Sequence, residues 1–148
     1  MQLSEHFTLE EFTRSGEATK RGIDNTPTAA HLENLKKTAA GFERIRAILG
    51  NQPISITSGY RNPALNKAVK GTPTSAHPQG FAGDFRHPTL SPLDCARQLR
   101  ASDLKYDQVI LETSRGVVHV GFGPGSRRMT GEQKGAAGTH IDWKLPGD

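Results

Sequence analysis

Apolar positions along the chain fall into short runs whose spacing sets the elements. Thr8-Leu9-Glu10-Glu11 is a capping box, with Thr8 as N-cap and Glu11 three residues on, and it opens a short helix to about Ser15. Phe7, Leu9 and Phe12 are its apolar anchors. Gly16 to Asn25 is polar and reads as a loop. Pro27-Thr28 then starts the longest helix, Thr28 to Leu49. In it Leu32, Leu35, Ala39, Phe42, Ile45 and Leu49 recur at three- and four-residue steps and make one apolar stripe. Glu33, Lys36, Lys37 and Glu43 fall largely off that stripe, and Gly50 stops the helix. His31, beside its start, reads as a solvated surface histidine.

The period then changes from helical to two. Ile54 to Ser58 alternates as a half-buried strand, and Gly59 to Pro63 turns the chain into a short helix, Pro63 to Val69. Lys70 to Pro73 is a loop. Phe81 to Phe85 alternates again, which puts Asp84 on the face opposite Phe81 and Phe85. Ser91-Pro92 begins a helix to about Leu99. Tyr106 to Glu112 and Val117 to Phe122 read as strands, and the four-residue link Thr113 to Gly116 makes them an antiparallel hairpin. From Gly123 onward Gly, Pro and charge dominate without periodicity, with Ile141 and Trp143 as candidate anchors. The pattern predicts a single α+β domain over residues 1–148: an antiparallel sheet flanked by helices, an integral helical part to about residue 53, and a polar tail from about residue 123.

Composition trims the options. Hydrophobic content of 34% with 16 Gly and 9 Pro fits a loop-rich fold, and a charged fraction of 23% argues against a wholly disordered chain. The net charge of +4 suits nucleic acid, a membrane surface or an anionic wall polymer about equally. The basic residues are scattered, however, with only Lys36-Lys37 and Arg127-Arg128 as pairs, so nucleic acid is not expected as a partner. The single cysteine, Cys95, excludes an internal disulfide and reads as a small apolar helix residue. No signal peptide and no stretch of transmembrane length is evident, so the expectation is a monomer made in the cytoplasm and carried to its substrate by other means, without membrane insertion.

The candidate chemistry lies in Thr74 to Asp84. His77 and Asp84 stand seven positions apart there, and His119 sits in the middle of Val117 to Phe122. Two imidazoles and a carboxylate are the donor types of a catalytic zinc, which keeps a fourth position open to water. A metal-activated water needs a general base, and Glu112, ending its strand across the hairpin from His119, holds the best position. Arg61 is placed to steady an oxyanion or grip a substrate carboxylate. Ser75 and Gln79, with Arg61, are the candidate substrate contacts. The bland alternative stays open at this point: His77 capping a turn, Asp84 paired with an arginine such as Arg86, and His119 packed in a core. A Ser75–His77 hydrolase pair is weaker still, since both sit on one local loop with no oxyanion signature.

Several motifs together resemble the M15 family of zinc peptidases, the D-alanyl-D-alanine carboxypeptidase and phage endopeptidase group. They are Ser58-Gly59-Tyr60-Arg61-Asn62-Pro63-Ala64-Leu65-Asn66, Ser75-x-His77-x-x-Gly80-x-Ala82-x-Asp84, Tyr106 to Glu112, and Val118-His119-Val120. Phe7 to Phe12 with Gly22 to Pro27 is similar to the phage and prophage subset. The resemblance implies Zn²⁺ on His77, Asp84 and His119, an acid near the last histidine, and Arg61 near the substrate. It also implies peptidoglycan stem or cross-bridge peptides as substrate, and a small α+β fold shared with the hedgehog signalling domain. Two departures stand out: relatives usually carry Trp where this chain has Val117, and many carry the catalytic acid where it has Gly116. Glu112 must then serve as base, with Asp107 a distant second choice. The expected function is a phage- or prophage-encoded peptidoglycan peptidase, an endolysin or a virion component. Gly116 and Val117 favour the alternative, a non-catalytic structural or wall-binding virion module that keeps fold and zinc.

Overall fold

The computed structural model describes residues 1–72 and 75–148; Pro73, which ends the expected loop, and Thr74, which begins the candidate stretch, lie outside the described residues. Its elements are α1 (Leu9–Thr13), α2 (Gly16–Arg21), α3 (Ala29–Ile48), β1 (Ser55–Ser58), α4 (Pro63–Ala68), a 3-10 turn at His77–Gln79, β2 (Ala82–Arg86), α5 (Pro92–Ala101), β3 (Gln108–Glu112), β4 (Val117–Gly121) and β5 (Met129–Gln133). The strands form one sheet in the order β1-β2-β4-β3-β5. This is the α+β architecture that the periodicity predicts.

Alternation along the strands divides the sheet into two faces. Phe85, Val109, Leu111, Val118 and Val120 join the core with the α3 stripe and with Cys95, Ala96 and Leu99 of α5. Phe42 is the hub of that core, with the rings of Phe7, Phe12, Phe85 and Phe122 at 5.6–6.0 Å in edge-on contact. The residues between them, Asp84 on β2, His119 on β4 and Ile110 and Glu112 on β3, take the opposite face. The hydrophobic pattern that builds the core therefore also delivers the polar residues to one surface.

Several sequence expectations need correction. Gly16 to Asn25 is not all loop, because α2 occupies its first six residues. Ser15 caps the start by accepting the Ala18 N–H, Glu17 and the pair Lys20/Arg21 complement the helix dipole, and Gly22 closes the end in the left-handed region at φ 66°. The segment lacks an apolar stripe, so these capping signals were the only ones to read. The region after Gly123 is not a plain tail either. Its β5 pairs in parallel with β3, Gln108 opposite Met129 through Glu112 opposite Gln133, so the sheet is mixed rather than purely antiparallel. A five-residue strand with Gly and Glu in its middle carries little periodic signal, and the pairing is made by backbone. The anchor of this region is Leu145, which is fully buried, whereas Trp143 is 45% exposed.

The N-terminal third fixes the turn after β1. The Asn25 side chain donates to Thr13 O and Tyr60 O at 3.0 and 2.9 Å and accepts the Asn62 N–H at 2.9 Å. Gly59 is required there, because a Cβ would lie 2.5 Å from Phe12 O. Helix α3 holds the next loop: Thr38 Oγ1 donates to Gly80 O at 2.6 Å and Asn34 Nδ2 to Gln79 O at 2.8 Å. His31 belongs to this scaffold rather than to open solvent, with Nδ1 2.9 Å from the Tyr60 hydroxyl.

Candidate metal centre

Asp84 and His119 are direct partners across the β2–β4 ladder, so their side chains emerge side by side on the same face. His119 Nδ1 lies 2.9 Å from Asp84 Oδ1, and His77 Nε2 approaches the same oxygen at 3.3 Å. The three donor groups all lie within 4.8 Å of one another. At bonds of about 2.1 Å a tetrahedral zinc spaces its ligand atoms roughly 3.4 Å apart, so the constellation has the right size. His77 Nδ1–H donates to Gly59 O at 2.5 Å, which commits that nitrogen and leaves Nε2 as the one facing Asp84. All three are buried, at 1%, 0% and 8% exposure, and Asp84 Oδ2 has no hydrogen-bond partner among the described residues. A buried carboxylate with an orphaned oxygen between two imidazoles is a donor set that a divalent cation completes.

The charges lean the same way. Burial would raise the Asp84 carboxyl, but the His77 charge and the bonds to both imidazoles overcome it and hold the group well below the usual carboxylate range. Burial lowers the His77 imidazole from its ordinary value, against the opposing pull of Asp84. His119 is pulled downward by burial, yet its bond and proximity to Asp84 win and raise it. Arg86, the arginine first considered as a partner for Asp84, is exposed and donates to the Gly116 and Arg115 carbonyls instead.

A cavity of about 180 Å³ opens beside the triad, and Arg61, Ser75, His77, Glu112, Arg115 and His119 are among its lining residues. Glu112 is 6% exposed, and burial together with the Asp84 charge raises its carboxyl. Arg115 Nη2 binds Glu112 Oε1 and comes within 3.8 Å of Asp84 Oδ2. Among the described residues Glu112 Oε2 has no partner, nor has the buried Arg61 Nε. Ser75 Oγ accepts the His77 N–H at 3.2 Å, bracing the entry to the turn that carries the histidine. Gln79 lies elsewhere, exposed at the end of that turn and outside the lining. Asp107 is also away from it, paired with Arg127 at 2.8 Å.

Arg115 is the member that sequence reasoning missed. It sits in the hairpin link, where the Arg115 and Gly116 N–H groups both donate to Glu112 O, and that tight turn folds a cation back over the acid three residues before it. The Glu-x-x-Arg spacing across a short link was the available signal. Gly116, at φ 64°, is the left-handed residue that closes the turn, and Val117 beside it is buried. Residues 5–121 match the sequence model of the family described as Peptidase M15. No curated protein matches the chain.

Proposed function

This chain is a member of the M15 peptidase family, and on that premise we propose that it is a zinc-dependent peptidase acting on the peptides of bacterial peptidoglycan. The observation that carries the zinc reading is the buried His77–Asp84–His119 triad, with the orphaned oxygen of Asp84. These three residues would hold the ion, which when bound polarises a peptide carbonyl and brings the pKa of a water towards roughly 7.

The chain's own groups supply the rest. Glu112 takes the proton of the attacking water at Oε2, the oxygen that Arg115 leaves free, and returns it to the leaving amine. Its raised proton affinity brings it closer to neutral pH than an ordinary glutamate, which suits both transfers. Arg61 places a half-buried cation at the cavity, with an Nε–H that has no partner among the described residues, fit for a developing oxyanion or a substrate carboxylate. Ser75 keeps His77 in place and borders the substrate. Gln79, exposed and outside the lining, has no support as a substrate contact.

The setting we propose is a phage or prophage: an endolysin released through a membrane lesion, or a virion component. The N-terminal motif and the net charge of +4, suited to an anionic wall, support it. No helix among the described residues is long and apolar enough to cross a membrane. Digestion of purified peptidoglycan by zinc-loaded protein, read by mass spectrometry of the muropeptides, tests activity and bond together. Products with newly freed amines, abolished by chelator, are expected. Full zinc occupancy without product, across substrates and pH, would instead favour a non-catalytic wall-binding module.

A further inference from the structure

The family match ends at residue 121, yet the cavity does not. Gln133, Ala137, Gly138 and Ile141 line it from the segment beyond. That segment is fastened at both ends. Its start is β5, paired in parallel with the strand that carries Glu112. Its return is a bridge of Asp142 to Glu132 with N–H···O distances of 2.8 and 2.9 Å, followed by Leu145 in the core. Gly131 permits the return, because a Cβ there would lie 2.4 Å from Asp142 O.

The stretch between these fastenings is shaped by its own bonds. Gln133 Nε2 donates to Thr139 O at 3.0 Å, and Thr139 Oγ1 donates to Ala136 O at 2.6 Å. It is also tied to the hairpin link: Ser114 Oγ donates to Gly135 O at 3.0 Å and Thr113 Oγ1 to Glu132 Oε2 at 2.7 Å. Ala137 and Ile141 are thus held half-buried at the cavity wall.

The two halves of the wall differ in chemistry. Arg61, His77, Glu112, Arg115 and His119, from the family region, carry its ionisable groups, whereas the added segment contributes one amide, a glycine and two apolar side chains. At about 180 Å³ the cavity is smaller than the roughly 300–1,000 Å³ that encloses a drug-sized ligand, so it takes one or two residues of a longer chain. We infer that Ala137 and Ile141 form a subsite for a small apolar side chain of the bound peptide, and that this C-terminal strap sets side-chain selectivity.

The inference rests on the peptidase reading, and the test separates the two. Full-length wild type, Ala137→Leu and Ile141→Ala are compared, all zinc-loaded. The substrates are synthetic peptides that copy the cleaved muropeptide, with alanine or leucine on either side of the bond. Ala137→Leu narrows the subsite and is expected to raise KM for the alanine peptide, with a change in alanine-over-leucine preference of roughly tenfold, the scale of a methylene or two in an apolar pocket. Ile141→Ala widens it and shifts the preference the other way, toward leucine. Opposite shifts at unchanged zinc content do not arise from misfolding. Hydrolysis with the same preference in all three proteins overturns the subsite alone. A wild type that cleaves no muropeptide overturns the peptidase reading and the subsite with it.

Discussion

Arg115 binds one oxygen of Glu112 and leaves the other buried without a partner among the described residues. A carboxylate in that state has its orientation fixed by an ion pair and its free oxygen available for a proton. Replacing Glu112 with Gln keeps the shape and removes the base. Zinc content is expected to stay, and kcat to fall by a factor on the order of 10²–10⁴. Arg115→Ala tests the positioning role. Burial and Asp84 already raise Glu112, and Arg115 opposes them, so its loss raises the carboxyl further. The ionised base is then confined to higher pH, and the acid limb of kcat/KM moves upward. A profile that stays in place would remove Arg115 from this role.

Metal affinity is expected to fall as pH falls. A ligating imidazole must be deprotonated, and Asp84 raises His119 above the 6.5 of a free imidazole. Affinity is therefore fully present above that raised value and declines below it, by up to about tenfold per pH unit for one competing proton. His77 is lowered by burial, so its own competition with protons sets in at lower pH than that of His119. Zinc competition with a chromophoric chelator across pH reads the slope directly.

Glu43 ties the N-terminus to the middle of α3. Its carboxylate accepts the Ser4 hydroxyl at 2.5 Å and the His6 N–H at 2.7 Å, and lies 2.6 Å from His6 Nδ1. Partial burial works against the charged form, but these bonds prevail and lower the group from 4.5. A folded value below the unfolded one means that the contribution is complete above about 4.5 and is lost as pH falls through the lower folded value. Glu43→Ala is expected to cost about 1–2 kcal/mol at neutral pH, since the site is partly solvated. The deficit against wild type should shrink in acid, which urea unfolding at two pH values measures.

Phe42 touches four other phenylalanine rings and joins α1, α3 and β2, so Phe42→Ala leaves a cavity at the junction of the N-terminal helices with the sheet. The expected loss is about 3–5 kcal/mol by denaturant unfolding. Phe42→Leu, which fills part of that volume, should recover a substantial share.

The sequence determined more than the outline. The stripe from Leu35 to Leu49 and the alternation in β2, β3 and β4 are direct consequences of one buried face, and they were legible because burial repeats with the period of the backbone. The same alternation placed Asp84 off the core face, the strand end across the hairpin marked Glu112, and the motif spacing marked His77 and His119. It could not say which strands are neighbours. That Asp84 lies opposite His119 is a fact of register, fixed by ladder hydrogen bonds between residues 35 apart, and no local periodicity encodes it. The same holds for Gly59 O meeting His77 Nδ1 and for Arg115 folding back on Glu112. It holds most of all for the parallel strand β5, whose attachment is backbone pairing with almost no side-chain signature. The residue types for a metal site were written in the chain, while their convergence within 4.8 Å, and the wall that residues 133–141 add beside them, came from tertiary packing alone.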